Sequence, residues 1–195
     1  APKASSCQNI RIHTTLLYAR YTDRVSIEEF VTLLRQKGEE LYRDMPWRQD
    51  TRPYYVLVSE LMLQQTQVIR VISKFNAFIE RFPNEESLAK ASLADVLRQW
   101  QGLGYNRRAK FLQDAAKTIA NEFDGVFPAE EADILKLPGV GKNTAGAISA
   151  YAFNKPSIFV ETNIRTVYIH HFFNDQFDVD DKQIIGLLER TIDRK

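Results

Sequence analysis

The stretch Leu137 to Ala145, LPGVGKNTA, constrains this chain more than any other. Gly139 and Gly141 in a tight turn allow positive φ and leave backbone N–H groups uncovered. A short helical run, EEADILKL, precedes the turn and KNTAGAISAYAF follows it, so the turn joins two helices. Two readings fit. One is an αα-corner that needs glycine only for its bend. The other is an anion clamp: the helix beginning near Lys142 points its free N–H groups and positive dipole end at the turn, Lys142 adds a full charge, and Thr144 adds a hydroxyl. On a nucleic-acid backbone such a clamp fixes register without reading sequence.

The rest of the chain predicts helices with short, well-punctuated connections. Ser26 and Glu29 form a capping box ahead of IEEFVTLLRQKGEELYRD, whose apolar residues recur at three and four. MPWRQDTRPYY is a proline-rich loop carrying Trp47 and Arg48. VLVSELMLQQTQVIRVISKFNAFIERF is long for one helix, and a break near Gln65–Thr66 divides it into two of ordinary length before Pro83 ends the run. SLADVLRQW opens with Ser92 and Asp95 in capping positions and stops at QGLGY. NRRAKFLQDAAKTIANEF is amphipathic and closes at the turn dipeptide Asp124-Gly125. NIRTVYIHHFF and DKQIIGLLERTI supply two further helices. No alternating strand and no fixed-period repeat is visible, so the chain reads as all-α.

Composition excludes several classes of function. A chain of 195 residues that is 44% hydrophobic and 26% charged is that of an ordinary globular protein. Its net charge of +1 makes no demand for nucleic acid, so a DNA-binding surface has to arise from local segregation of charge. The single cysteine, Cys7, rules out an internal disulfide framework and a multi-cysteine iron–sulfur or metal site within this sequence. No apolar run reaches the ~18 residues of a membrane span. The opening segment has no signal-peptide h-region, which points to an intracellular protein with an appendage or processed end at residues 1–25.

LPGVGKNTAGAISAYAF followed by VETNIRTV resembles the helix–hairpin–helix and trailing acidic loop of the HhH-GPD superfamily of base-excision DNA glycosylases. PWR…PYYVLVSELMLQQTQV and QGLGYNRRAKFLQDAA resemble the MutY adenine glycosylase branch more than the endonuclease III branch. The resemblance runs from about Glu28 to Lys195. It implies a helix–hairpin–helix glycosylase fold: a six-helix barrel over 53–174 containing the hairpin at 137–145, and a second, incomplete helical lobe from 26–52 and 175–195. In relatives the chain continues into further helices, often an iron–sulfur cluster, and in MutY a domain that reads oxidised guanine. None is in this sequence, which predicts a shortened or partial chain without that cluster.

Cleaving an N-glycosidic bond passes through an oxocarbenium-like state, which needs an acid to protonate the base and a carboxylate to stabilise the sugar cation. Glu60, in SELMLQQ, lies in an apolar helix where burial keeps its proton available; alone it also reads as a solvent-facing charge. By resemblance it falls where MutY-like enzymes carry their proton donor. Glu161 falls where the superfamily carries an aspartate, at the start of a helix where a carboxylate is favoured in its ionised form. It is one methylene longer than aspartate, and the resemblance predicts a catalytic group differently posed. Asn163 matches the asparagine that supports that carboxylate. Bifunctional members place a Schiff-base lysine where this chain has Asn143, which cannot form an imine, while Lys142 lies ~100° away round the helix. A monofunctional enzyme is expected.

Base extrusion needs residues to fill the gap in the stack. Gln64 and Gln65 lie where relatives insert a glutamine, and Tyr105 matches an intercalating tyrosine; a polar helix end and a core aromatic are the plainer readings. Arg107, Arg108 and Lys110 form a basic patch for phosphates or a solvated helix face. By analogy Trp47 and Arg48 line the base pocket, with a core role as rival for the tryptophan. Gly139, Val140, Gly141, Lys142 and Thr144 are the expected DNA contacts of the hairpin. His170 and His171 are adjacent and point ~100° apart, so no metal is assigned. No cofactor is expected beyond a monovalent cation that the hairpin could hold.

The expected partner is double-stranded DNA with a mispaired or damaged base, met by a monomer in the cytoplasm or nucleoid of a prokaryote or the nucleus of a eukaryote. Adenine is the favoured base. Uracil, thymine or a damaged pyrimidine, and a non-catalytic lesion-binding module, remain alternatives.

Overall fold

The computed structural model describes residues 25–174, 176 and 178–194. The expected appendage, apart from Val25, lies outside them. Among the described residues the chain forms eleven helices and no strand. In chain order these are α1 (Ile27–Glu40), α2 (Pro46–Gln49), α3 (Pro53–Leu63), α4 (Val68–Arg81), α5 (Glu85–Lys90) and α6 (Leu93–Trp100). Then come α7 (Arg107–Glu122), α8 (Glu131–Ile134), α9 (Lys142–Phe153), α10 (Thr162–Phe172) and α11 (Asp181–Thr191).

Local chemistry sets most of the boundaries. The Ser26 hydroxyl accepts from the Glu29 amide at 3.2 Å and the Glu29 carboxylate accepts from the Ser26 amide at 2.9 Å, the expected capping box of α1. Ser92 caps α6 by accepting from the Asp95 amide at 3.1 Å. The long apolar run divides as predicted, with α3 ending at Leu63, α4 beginning at Val68 and Gln65 between them at φ 57°. Asp124 and Gly125 turn the chain out of α7 at φ 53° and 75°. The expected proline-rich loop is different: Pro46–Gln49 closes a helical turn, because proline at the first helical position has no N–H to lose.

Contacts divide the chain into two compact units. The smaller holds the described residues up to Tyr42 together with Thr162–Thr191, and the larger holds Arg43–Glu161 with the residues from Ile192 onward. These limits correct two expected boundaries. α10, expected in the 53–174 barrel, belongs to the smaller unit because Phe30 of α1 packs against Tyr168 and Phe172, with ring centroids 5.0 and 4.7 Å apart. Residues 43–52, expected in the second lobe, belong to the larger unit because the Trp47 ring meets Phe75 edge-on at 5.3 Å.

The larger unit is organised around α3. Tyr54, Val56, Leu57, Val58, Leu61 and Met62 are all buried, so this helix is apolar nearly all round and sits inside the unit. It packs against α4, α7 and α9. Glu60 is the only charged residue in its sequence. Trp100 is fully buried and meets Phe78 edge-on at 6.0 Å, while the Tyr54 hydroxyl donates to Phe82 O at 2.8 Å. Each such buried side chain contributes about 1.5–3 kcal/mol relative to exposure.

Candidate active site

Two carboxylates of the larger unit lie near enough to interact electrostatically. Glu60 lies one turn before the end of α3 and is largely withdrawn from water. Burial, and then the charge of Glu161, raise it from the ordinary 4.5 to about 7. A carboxyl held there keeps a proton near neutrality. Glu161 is exposed and immediately precedes α10. The pair thus has one desolvated member that holds its proton up to about 7 and one in contact with solvent, a division of labour suited to acid-assisted glycosidic cleavage.

Glu161 is delivered by the irregular segment 155–161, and contacts of four side chains fix its course. Lys155 Nζ donates to Ala129 O and to Glu130 Oε1, each at 2.8 Å. Ser157 Oγ donates to Glu131 Oε2 at 2.7 Å. Phe159 lies so close over α9 that a Cβ added at Gly146 would sit 2.7 Å from its ring. Asn143 Nδ2 donates to Val160 O at 2.8 Å, directly before Glu161. Asn143 therefore holds the backbone that carries the carboxylate. Asn163, exposed in the first turn of α10, lies in the smaller unit.

Sequence reasoning missed Tyr151. The residue is 54% exposed, and its ring meets Phe159 edge-on at 6.5 Å. Burial of the phenol, then the charges of Glu60 and Glu161, raise its pKa, and Arg48 opposes them. The phenol and Arg48 therefore belong to the same electrostatic neighbourhood as the carboxylates. A large polar ring in a helix otherwise rich in alanine and glycine was the available signal. Arg48 donates from Nη1 to Arg43 O at 3.1 Å. Trp47, its expected partner in the base pocket, is instead 8% exposed and packed into the core, because the turn of α2 points it at Phe75.

At the hairpin, Gly139 is at φ 79° and a Cβ there would lie 2.6 Å from Phe111 Cβ, so glycine is required for both conformation and space. Gly141 begins α9 with no side chain capping it, and Gly141 and Lys142 are exposed. Uncapped N–H groups at the positive end of α9 beside Lys142 form an anion-binding arrangement. Two expected contacts are corrected. Thr144 is 8% exposed and turned into the unit, and Val140 is 9% exposed with its amide donating to Leu137 O at 3.1 Å. Their positions on the inner side of the turn leave them to packing.

Gln64, Gln65 and Tyr105 are exposed at two neighbouring loops. Arg107 is exposed and lies over the Phe111 ring at 5.1 Å. Lys110 pairs with Asp114 at 2.5 Å. Arg108 does not join a basic surface patch. It is 7% exposed, and its guanidinium donates to backbone carbonyls. His170 and His171 stand nearly perpendicular, and His171 lies against Phe30 at 5.2 Å. Burial, then His170, lowers the His171 pKa. Among the described residues no group of three or more His, Cys, Asp or Glu is placed to hold a metal ion, and no helix is long and apolar enough to cross a membrane.

The family model for HhH-GPD superfamily base excision DNA repair proteins matches residues 58–192. The chain belongs to the HhH-GPD superfamily. Within it, the chain is 42% identical over 151 residues to an adenine DNA glycosylase of Buchnera aphidicola subsp. Baizongia pistaciae, covering 77% of this chain and 42% of that protein. It is 46% identical over 126 residues to an adenine DNA glycosylase of Mycolicibacterium smegmatis, covering 64% of this chain and 43% of that protein. The chain thus spans less than half the length of these curated relatives. Among solved structures, a thermostable thymine-DNA glycosylase matches with a TM-score of 0.77 at 27% identity, covering 85% of this chain and 77% of that one. Its similarity to these adenine DNA glycosylases supports the MutY branch of that superfamily, as its upstream motifs suggest.

Proposed function

We propose that this chain carries a monofunctional DNA N-glycosylase activity of base excision repair, with adenine as the favoured base. The observation that carries the reading is the Glu60–Glu161 pair, in which burial and a neighbouring charge raise Glu60 to about 7. Glu60 donates its proton to a ring nitrogen of the extruded base, and the N-glycosidic bond breaks with its electrons passing to the base. Glu161 stabilises the resulting sugar cation. Water adds to that cation and returns a proton to Glu60, leaving a free base and an abasic site. Asn143 holds the Val160 carbonyl and fixes the backbone at Glu161. With no lysine at position 143, the reaction ends without an imine and without strand incision. DNA is engaged at the uncapped start of α9, with Gly139, Gly141 and Lys142 meeting phosphate, and no cofactor takes part.

Identity to curated adenine DNA glycosylases supports adenine as the base. A second reading, thymine or uracil, is favoured by the match to a thymine-DNA glycosylase and by the longer carboxylate at Glu161. A panel of duplexes, each with one mispaired or altered base, incubated with the chain and then treated with alkali, tests both. Strand cleavage at adenine opposite a mispairing partner is the expected result. Cleavage at thymine or uracil selects the second reading, and binding without cleavage of any duplex overturns the glycosylase assignment. Borohydride trapping of a covalent adduct in good yield overturns the monofunctional mechanism.

A further inference from the structure

Among the described residues, four other than glycine adopt positive φ: Gln65 at 57°, Tyr105 at 47°, Asp124 at 53° and Asn154 at 50°. Asp124 sits in an Asp-Gly turn and Asn154 is the left-handed C-cap of α9, roles that Asx side chains fill at little cost. Gln65 and Tyr105 have no such local reason. Backbone strain of this kind persists only where the surroundings over-determine it. Both residues are exposed, Tyr105 at 64%, so packing of their own side chains into a core does not hold them.

What over-determines both is Arg108. Its Nη1 donates to Gln64 O at 2.5 Å, Leu61 O at 2.7 Å and Met62 O at 3.1 Å. Its Nη2 donates to Leu103 O at 3.0 Å, Gly104 O at 3.2 Å and Thr66 Oγ1 at 3.3 Å. The Gln64 carbonyl belongs to the peptide that enters Gln65, and the Gly104 carbonyl to the peptide that enters Tyr105. One planar, buried fork therefore anchors the peptide ahead of each strained residue. The Leu61 and Met62 carbonyls lie in the last turn of α3 and those of Gln64, Leu103 and Gly104 just past the ends of α3 and α6, where orphan acceptors and the negative dipole end favour a cation. The Arg108 ring neighbours, Trp100 at 5.6 Å and Tyr105 at 5.4 Å, complete its enclosure.

We propose that Arg108 is a positioning residue that sets Gln65 and Tyr105 at a fixed separation, so that the two side chains enter a DNA stack together as a paired wedge. The inference rests on the DNA glycosylase reading for its partner, a duplex. A lysine at this position keeps the charge but is a single point donor and cannot hold two peptides in one plane. The strain in both residues is then free to relax, and the wedge loses its spacing.

The test compares the unmodified chain with Arg108→Lys and Arg108→Gln, after melting curves have shown which variants are folded. Extrusion is read from 2-aminopurine fluorescence in a duplex carrying that base beside the mispair. Single-turnover release is measured from the paired duplex and from the same base unpaired in a bulge. Arg108→Lys is expected to slow release from the paired duplex about 100-fold, as for a ~1 Å misplacement. The bulged base, whose extrusion costs least, should lose roughly ten times less. Tyr105→Ala added to Arg108→Lys should cause no further loss. Equal losses on both substrates, or full additivity with Tyr105→Ala, overturn the proposal, as does normal fluorescence enhancement by Arg108→Lys. An unmodified chain that extrudes the base but releases none, with extrusion lost in Arg108→Lys, removes the glycosylase reading and supports the paired wedge. One that does neither overturns both.

Discussion

The two units of this protein are held together in opposite ways. The smaller gathers α1, α10 and α11 around one ring, Phe30, which touches Tyr168, His171 and Phe172, with Ile184 also buried. Its polar ties include Arg165, which donates to Asp181 and to Val179 O, and the Tyr168 hydroxyl, which pairs with Thr191. The larger has a continuous core that runs from Trp47 through Phe75 and Trp100 to Ile148, and it carries both carboxylates, the hairpin and the Arg108 fork. A deep core can support a desolvated acid and strained loops, because the cost of each is small beside the packing that surrounds it. The chemistry accordingly sits where packing is redundant.

Breaking the site without touching either core gives the largest expected effect. Glu161→Gln, exposed and outside both cores, should slow base release by about 1,000-fold or more while leaving duplex binding and melting unchanged. Unimpaired turnover would remove Glu161 from the chemistry. Phe30→Ala should cost about 4 kcal/mol, concentrated in the smaller unit. Hydrogen exchange is the measurement: amides of α1, α10 and α11 should lose protection while those of α3 and α7 keep it, and uniform loss would mean that the units are one cooperative body.

Glu60→Gln sharpens the contrast from inside the larger core. Release should fall about 100-fold, and the parent's decline in rate above pH 7 should disappear with the acid. Stability should move the other way. The folded chain holds the Glu60 proton up to about 7 and the unfolded chain only to about 4.5, so stability falls as pH rises through that window. Glu60→Gln should therefore be more stable than the parent at pH 8 by on the order of 2 kcal/mol, and chemical denaturation at pH 4 and 8 checks the sign. Gly139→Ala, at φ 79° and against Phe111, should cost about 2 kcal/mol and weaken binding to undamaged duplex, with little change in the pH profile.

Much of the helix pattern was legible because it is local. The Ser26–Glu29 box, the Ser92 cap, the Asp124-Gly125 turn and the break at Gln65 follow from backbone chemistry within a few residues. The glycines of LPGVG were legible for the same reason. Trp47, Thr144, Val140 and Arg108 were not, since a side chain's direction depends on what the helix packs against. An arginine in a basic triplet reads as a phosphate ligand until carbonyls from two distant loops are brought round it. Tyr151 escaped notice because its one signal, a polar ring in an alanine-rich helix, does not say that two carboxylates lie beside it.

By itself the sequence determined the helical class, the hairpin and membership of a repair family, because caps, turns and motif order are written in consecutive residues; it offered Glu60 and Glu161 as candidate acid and cation stabiliser only through the family resemblance. Only the tertiary structure decided that α10 belongs with Phe30, that Asn143 reaches the Val160 carbonyl, and that Arg108 fastens two loops from within. Those depend on desolvation and on contacts between residues far apart in the chain, which no local pattern encodes.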